Sequence, residues 1–198
     1  MSATGQAFAH TVRYLLGRDT AATQTTAEER DAIAKYARGR RVAVEIGVYE
    51  GVSTVVIAKN LAPGATLYAI DPFLPGRLGI CWNRIIAMRE VSRARLDCEV
   101  KFIRTTSHEA LDRIPNQELD CIFIDGDHSL AGIKQDWDDW AGRVSPGGFV
   151  LLHDTQIPAH NPHVADLGSF QYFRETISKD ERFEIVEIVD SLSVLRRL

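Results

Sequence analysis

The stretch VEIGVYEGVST, residues 44–54, joins an apolar run to a turn, and the turn to an apolar helical segment. The run Val42–Ile46 is typical of a strand buried on both faces, and a helix is predicted from Ser53. Between them, Gly47 and Gly51 let the backbone approach a ligand closely, and the free amides of a helix start favour an anionic group. The stretch therefore predicts a ligand site where the first strand ends.

Strand-like and helix-like segments alternate along the rest of the chain. Further strands are predicted at Thr66–Asp71, Val100–Thr106, Leu119–Asp125 and residues 149–154, the last after an SPGG turn. Helices are predicted from a capping box at residues 26–29 to Gly39, at Ser53–Leu61, Trp82–Leu96 and Ser107–Ile114, and along the apolar stripe of Ile133, Trp137 and Trp140. Two final runs, residues 183–189 and 191–198, predict an antiparallel hairpin. The order predicts an α/β fold: a Rossmann-like, doubly wound, mostly parallel seven-stranded sheet that ends in this hairpin.

The composition limits the classes of function. The 198 residues suit a single domain, predicted at residues 25–198, with residues 1–24 as an N-terminal helical segment that forms a lid or a dimer contact. The net charge of −4 argues against a protein that coats nucleic acid. The sequence has no CxxC pair and no membrane-spanning apolar run, and its first residues do not predict a signal peptide. We expect a soluble, cytoplasmic protein that binds a small-molecule acceptor and forms a homodimer, with no nucleic acid or membrane partner.

Carboxylates collect at the predicted strand ends. In an open α/β sheet the ligand binds beyond the carboxyl ends of the strands, and Glu45, Asp71, Asp125 and Asp154 stand at four of the five ends. Asp71 comes 24 residues after Gly47, where an acidic residue accepts hydrogen bonds from the ribose hydroxyls of an adenosine cofactor. A dinucleotide-binding turn has much the same pattern of glycines and a following acidic residue.

The turn and the strand ends together resemble the class I S-adenosylmethionine-dependent methyltransferases. Glu45, Gly47 and Gly51 match the first motif of that class, with Tyr49 where a middle glycine is common. The second half, IDGDHSLAGIKQDWDDW followed by SPGGFVLLHDT within residues 124–155, resembles small O-methyltransferase-like enzymes with IDGDH and PGG…HD motifs, often found in bacterial secondary metabolism.

The resemblance implies S-adenosylmethionine as the cofactor. The turn of Gly47, Tyr49, Gly51 and Ser53 would receive the carboxylate of its methionyl part, and Glu45 would hold the ammonium group. The other implied cofactor contacts are Asp71 with the ribose, Thr106 and Ser107 with the adenine, and Asp125 at the end of the fourth strand. Ser107 is also a natural N-cap for the helix that follows.

The resemblance further implies a divalent metal ion, held by Asp125, His153 and Asp154. Imidazole suits iron, zinc or manganese better than magnesium, and such an ion would orient an acceptor hydroxyl and lower its pKa. In the alternative without a metal, His128 or His153 acts as general base. In a third, purely structural interpretation, His153 and Asp154 only form hydrogen bonds that end the strand.

The predicted activity is O-methylation of a small hydroxylated metabolite. The loops Phe73–Arg84 and Gln156–Phe170 are predicted to shape the acceptor pocket, with His160 and His163 as candidate contacts. The alternatives are an enzyme that uses S-adenosylmethionine for another reaction, such as cyclisation of the cofactor, an NAD-dependent oxidoreductase, or a non-catalytic binding module. The missing third glycine argues against the oxidoreductase, and the ionisable cluster argues against the binding module.

Overall fold

The computed structural model describes residues 3–76 and 79–198. The strands are β1 (Val42–Ile46), β2 (Thr66–Ile70), β3 (Glu99–Ile103), β4 (Leu119–Ile124), β5 (Val144–Leu152), β6 (Phe183–Val189) and β7 (Leu192–Arg197). They form one sheet in the order β3-β2-β1-β4-β5-β7-β6, in which β1 to β5 run parallel and β7 is antiparallel to both neighbours. The predicted fold class, including the C-terminal hairpin, is confirmed.

The helices follow the same alternation. They are α1 (Ala3–Leu15), α2 (Ala27–Ala37), α3 (Val52–Asn60), α4 (Trp82–Arg93), α5 (Ser107–Ala110), α6 (Leu130–Trp140) and α7 (Gly168–Glu175). The predicted capping box starts α2: the Thr26 hydroxyl accepts from the amide of Glu29, whose carboxylate accepts from the amide of Thr26. In the part of the chain that the structure describes, no helix has the length and hydrophobicity that a membrane crossing needs.

The sheet has a hydrophobic core on each face, because successive strand residues point in opposite directions. On one face, Val44 packs with the Trp137 side of α6. On the other, Ala43 and Phe123 pack with Ile33 of α2. The stripe predicted on α6 is buried as expected. Since the strand order reverses between β1 and β4, the carboxyl ends of these two strands form the switch point where open sheets bind ligands.

Three local features differ from the sequence-based expectation. β5 begins at Val144, so the SPGG residues lie within the strand, where the pairing with β4 shifts register between Leu119 and Cys121. The helix α7 begins at Gly168, inside the segment predicted as a loop. The helix after β3 is a single turn that ends at Ala110.

Candidate functional site

A cavity of about 680 Å³ lies beyond the carboxyl ends of the parallel strands. Seven of the predicted cofactor residues line it: Gly47, Tyr49, Ser53, Asp71, Thr106, Ser107 and Asp125. Glu45 and Gly51 are not among its lining residues. The volume suits a small-molecule ligand or cofactor. The structure therefore places most of the predicted cofactor residues around one cavity of suitable size.

The turn after β1 depends on glycine at its first position. Gly47 has φ +88°, and a Cβ atom added there would lie 2.0 Å from the carbonyl oxygen of Asp125. Only glycine therefore lets the turns after β1 and β4 approach this closely. Tyr49, which stands where a glycine is common, has φ +52°, a left-handed conformation that is unusual for an aromatic residue. Gly51 also has a positive φ and precedes α3.

Asp71 organises this turn. Its Oδ2 atom accepts from the amides of Val48 at 3.0 Å and Tyr49 at 3.2 Å, and its Oδ1 atom accepts from the amide of Phe73 at 2.6 Å. A carboxylate has about four acceptor positions, so one remains for a ligand hydroxyl. The predicted ribose contact stays a prediction, now beside a second role in holding the backbone.

Glu45 is fully buried beneath the turn. Its Oε1 atom accepts from the hydroxyl of Ser53 at 2.6 Å, while Oε2 is buried without a hydrogen-bond partner among the described residues. Burial raises the pKa of Glu45 to about 8. A neutral carboxyl that does not line the cavity is poorly placed to bind an ammonium group, and that predicted contact remains untested.

The residues after β3 cap a helix and line the cavity. The N-cap of α5 is Thr106, whose hydroxyl accepts from the amide of Glu109 in a second capping box. Ser107 is thus the first helical residue and not the cap, and its hydroxyl donates to the carboxylate of Asp136 on α6. Sequence reasoning missed Asp136, although a signal existed: it falls between Ile133 and Trp137 on the buried stripe.

His153 is buried among three carboxylates. Its Nε2 atom lies 3.2 Å from Oε2 of Glu29, and its Nδ1 atom lies 3.1 Å from Oδ1 of Asp125 and 3.5 Å from Oδ1 of Asp154. Burial disfavours the imidazolium, but these carboxylates outweigh that effect and raise the pKa of His153 well above its usual value.

The groups that could hold a metal ion are Asp125, His128 and Asp154, with one donor atom from each within 4.8 Å of the others. The ring of His128 lies 3.8 Å from Oδ1 of Asp125 and 3.7 Å from Oδ2 of Asp154. Oδ1 of Asp125 is buried and lacks a well-aligned hydrogen-bond partner among the described residues, although Nδ1 of His153 is near. Two oxygens and an imidazole nitrogen fit a divalent transition metal. His128 is thus a further candidate ligand, and the predicted role of His153 as a ligand stays a prediction.

A second cavity of about 390 Å³ adjoins this cluster and shares His128 with the first. It is lined by His153, Asp154, His160 and Asn161, so the loop after β5 contributes to a cavity, while its predicted contact with the acceptor stays a prediction. The side chain of His163, by contrast, is 89% exposed. Of the other predicted acceptor loop, Phe73, Leu74, Cys81 and Asn83 line the first cavity, while Arg77 and Leu78 lie outside the described residues.

The N-terminal segment reaches both cavities. Residues 22–25, here called the strap, line the first cavity, and Gln24 also lines the second. The strap is fastened by Glu50, a buried residue of the glycine turn, whose Oε2 atom accepts from the amide of Ala22 at 2.5 Å and lies 3.0 Å from Nε2 of His10 on α1. The sequence drew no attention to Glu50, because a lone carboxylate in a turn reads as exposed.

Curated relatives match this chain at moderate identity. An uncharacterised protein of Sinorhizobium fredii is 28% identical over 142 residues, which cover 70% of this chain but only 15% of that protein. Tapetum-specific methyltransferase 1 of Arabidopsis thaliana is 25% identical over 171 residues, covering 78% of this chain and 69% of the relative. The chain thus spans a small part of the first relative and about two thirds of the second.

Solved structures share the fold. An O-methyltransferase from Bacillus cereus in complex with SAH superposes with a TM-score of 0.65 at 18% identity, covering 97% of this chain and 91% of that one. The O-methyltransferase TomG from Streptomyces achromogenes, in complex with SAM, gives a TM-score of 0.65 at 17% identity, with 100% and 91% covered. The family description "Methyltransferase domain" matches residues 44–155, more than half of the chain, from within β1 to just after β5. The chain belongs to this methyltransferase domain family.

Proposed function

We propose that the protein is an S-adenosylmethionine-dependent methyltransferase that methylates an oxygen of a small hydroxylated metabolite. The observation that carries the proposal is that two cavities share His128 and Gln24 as lining residues, one cavity above the glycine turn and one at the end of β5. Methyl transfer joins two bound molecules, so it needs donor and acceptor compartments that meet at one point. The family and the fold-related O-methyltransferases with SAH or SAM support the same cofactor.

The donor would occupy the larger cavity. Its methionyl carboxylate would lie at the amides that start α3 after Gly51, and its ribose at the remaining acceptor position of Asp71. Asp125 and His128 would then lie at the end of the cavity where the methyl group is transferred. Tyr49 and the strap would cover the ligand from the solvent side.

The acceptor would enter the smaller cavity with its hydroxyl beside His128. As the oxygen attacks the methyl carbon, the O–C bond forms, the C–S bond breaks and the sulfur keeps the electron pair. The hydroxyl proton passes to His128 as general base. The nearby carboxylates of Asp125 and Asp154 would stabilise the resulting imidazolium.

Asp125, His128 and Asp154 also fit a divalent metal ion, such as manganese, iron, zinc or magnesium. A bound ion would orient the acceptor hydroxyl and lower its pKa. In that form of the proposal His153 is not a ligand but orients the two ligand carboxylates, since its Nδ1 atom lies near both. The predicted role of His153 as a direct ligand stays a prediction, and removing either histidine tests which one binds.

The first experiment is calorimetric titration of S-adenosylhomocysteine, SAH, into metal-stripped protein, followed by transfer of labelled methyl groups to a panel of hydroxylated compounds. We expect micromolar or tighter SAH binding and a labelled methyl ether. His128→Asn should keep SAH binding and lose turnover at least about 100-fold, while His163→Asn, a change at an exposed histidine, should keep both.

The outcomes separate the alternatives. Absence of SAH binding contradicts the proposal, and binding of NAD in its place would favour an oxidoreductase. SAH binding with a product other than a methylated acceptor would indicate another reaction of the same cofactor. Titration with Mn²⁺, followed by electron paramagnetic resonance, distinguishes the two forms of the site: binding lost in His128→Asn but kept in His153→Asn would assign His128 as the ligand.

The remaining expectations of the sequence stay predictions. They are the lid or dimer role of residues 1–24, homodimer formation, the cytoplasmic location and a place in secondary metabolism.

A further inference from the structure

The smaller cavity has a wall made almost entirely of polar side chains. Its floor is formed by four buried polar residues: Glu29, His153, Asp154 and Ser191. Its rim is formed by exposed residues of the strap and of the loop after β5: Gln24, His160 and Asn161. Among the described residues, Pro158 is the one apolar contributor, and no Lys, Arg, Phe, Tyr or Trp side chain lines the cavity.

The floor accepts hydrogen bonds, whereas the rim can also donate them. The carboxylate oxygens of Asp154 lie 3.5 Å from Nδ1 of His153 and 3.7 Å from Nδ1 of His128, beyond the usual hydrogen-bond range of about 2.7–3.2 Å. Asp154 therefore keeps the capacity to accept from a ligand. The side-chain amides of Gln24 and Asn161 can each donate and accept.

This lining determines the kind of molecule that fits. An aromatic ring would cover Asp154 and the amides with C–H groups, and burial of polar groups without partners costs free energy. A phosphate or carboxylate group would face the carboxylates of Glu29 and Asp154, while the one buried cation, His153, already lies among three carboxylates. Hydroxyl groups fit, because each can donate to a carboxylate and accept from an amide.

We propose that the acceptor is an uncharged, sugar-like polyol, in which further hydroxyl groups flank the one that is methylated. The inference rests on the proposed function, since it takes the smaller cavity as the acceptor site. The reacting hydroxyl lies beside His128, and the flanking hydroxyls meet Gln24 on the donor side and Asn161 on the other. The volume of about 390 Å³ is toward the small end of ligand pockets, which suits a single sugar ring.

The test measures binding to protein saturated with SAH, so that the donor cavity is filled. The probes are a set of methyl hexosides, catechol and a hexose phosphate, compared by saturation-transfer NMR and by competition. We expect the best hexoside to bind at least about 10-fold more tightly than catechol or the phosphate, the effect of one or two hydrogen bonds. The same hexoside should receive the labelled methyl group.

Asn161→Leu tests the rim, because Asn161 lines the smaller cavity and not the larger one. The variant should bind the hexoside about 5- to 10-fold more weakly, with SAH affinity unchanged and catechol binding no weaker. A matched control is Asn116→Leu, the same change at an exposed residue before β4 and outside both cavities. It should leave the affinity for every probe unchanged.

The outcomes distinguish this inference from the proposed function. Tighter binding of catechol or of the phosphate, or no hexoside binding, would overturn the inference, while intact SAH binding would leave the proposed function standing. An unchanged hexoside affinity in Asn161→Leu would also overturn it. Absence of SAH binding would instead refute the proposed function.

Discussion

Three carboxylates in or beside the wall of the larger cavity show how the surroundings of a residue decide its role. Asp71 receives three backbone amides and holds the turn in shape. Asp136 accepts from the hydroxyl of Ser107 at the wall of the cavity. Glu45 has one donor and an unpaired oxygen sealed in the core. The same chemical group thus holds a backbone turn, links two helices at the cavity wall and forms part of the core.

Glu45 makes the stability of the protein depend on pH. Its folded-state pKa of about 8 exceeds the ordinary value of 4.5, so between these values the unfolded chain has released a proton that the folded chain keeps. Stability therefore falls as pH rises from about 5 to 8, at up to about 1.4 kcal/mol per pH unit from this group, and levels off above. In Glu45→Gln this part of the decline should disappear.

The measurement is urea unfolding of the wild type and Glu45→Gln at pH 5.5, 6.5 and 7.5. The glutamine keeps an oxygen for the Ser53 hydroxyl, so the variant should fold. We expect the stability difference to shift in favour of the variant as pH rises. Parallel curves for the two proteins would show that Glu45 is already ionised in the folded state.

At the scale of elements, α1 and the strap connect the N-terminal segment to both cavities. The helix is anchored on α4 by the hydroxyl of Tyr14, which donates to Glu90 at 2.6 Å, and by an edge contact between Phe8 and Trp82. The strap itself is held by Glu50, within the turn that would bind the donor. The strap and the glycine turn are therefore joined through one carboxylate.

Loss of the Glu50 anchor should weaken ligand retention more than it weakens the fold. Glu50→Ala removes the acceptor of the Ala22 amide, so SAH should dissociate about 5- to 10-fold faster. His10→Ala removes the α1 side chain that contacts the Glu50 carboxylate, so it should also speed SAH dissociation. Tyr14→Phe is the control: it removes an α1 hydrogen bond away from the cavity and should leave the rate unchanged. Stopped-flow displacement of SAH measures all three, and equal rates in Glu50→Ala and the wild type would refute the strap's role.

At the scale of the whole molecule, Glu29 joins three distant segments. Its carboxylate accepts from the amide of Thr26 at the start of α2 and from the amide and hydroxyl of Ser191 in the hairpin turn. It also faces His153 at the end of β5. The C-terminal hairpin thereby supports the candidate site from behind, because its turn holds the carboxylate that orients His153.

Removal of Glu29 should destabilise the protein strongly. In Glu29→Ala the buried His153 loses one partner and Ser191 loses an acceptor, so the free energy of unfolding should fall by about 3 kcal/mol. Glu28→Ala, the neighbouring exposed position on α2, should change it by less than about 0.5 kcal/mol. Urea unfolding at neutral pH compares the two variants, and a similar small effect in both would mean that the buried carboxylate network does not hold the segments together.

The fold was predictable because its signals are local. The apolar run Val42–Ile46, the capping box at residues 26–29 and the C-terminal pair of strands each follow from periodicity, cap chemistry and turn length within a few residues. Helix α7 was missed, since a segment after a strand end with glycine and proline resembles a loop. The β5 start was missed because SPGG is usually a turn.

By itself, the sequence determined the order of the elements, the sheet with its hairpin and the glycine turn over which the cavity lies. Only the tertiary structure decided which ionisable side chains share a space: His128 and His153 both lie beside Asp125 and Asp154, and the second ring nitrogen of His153 faces Glu29. Strand ends converge in any such sheet, but the direction of each side chain depends on the backbone there. At Asp154 the φ of +52° ends the strand's alternation, and no local pattern in the sequence encodes where the side chain then points.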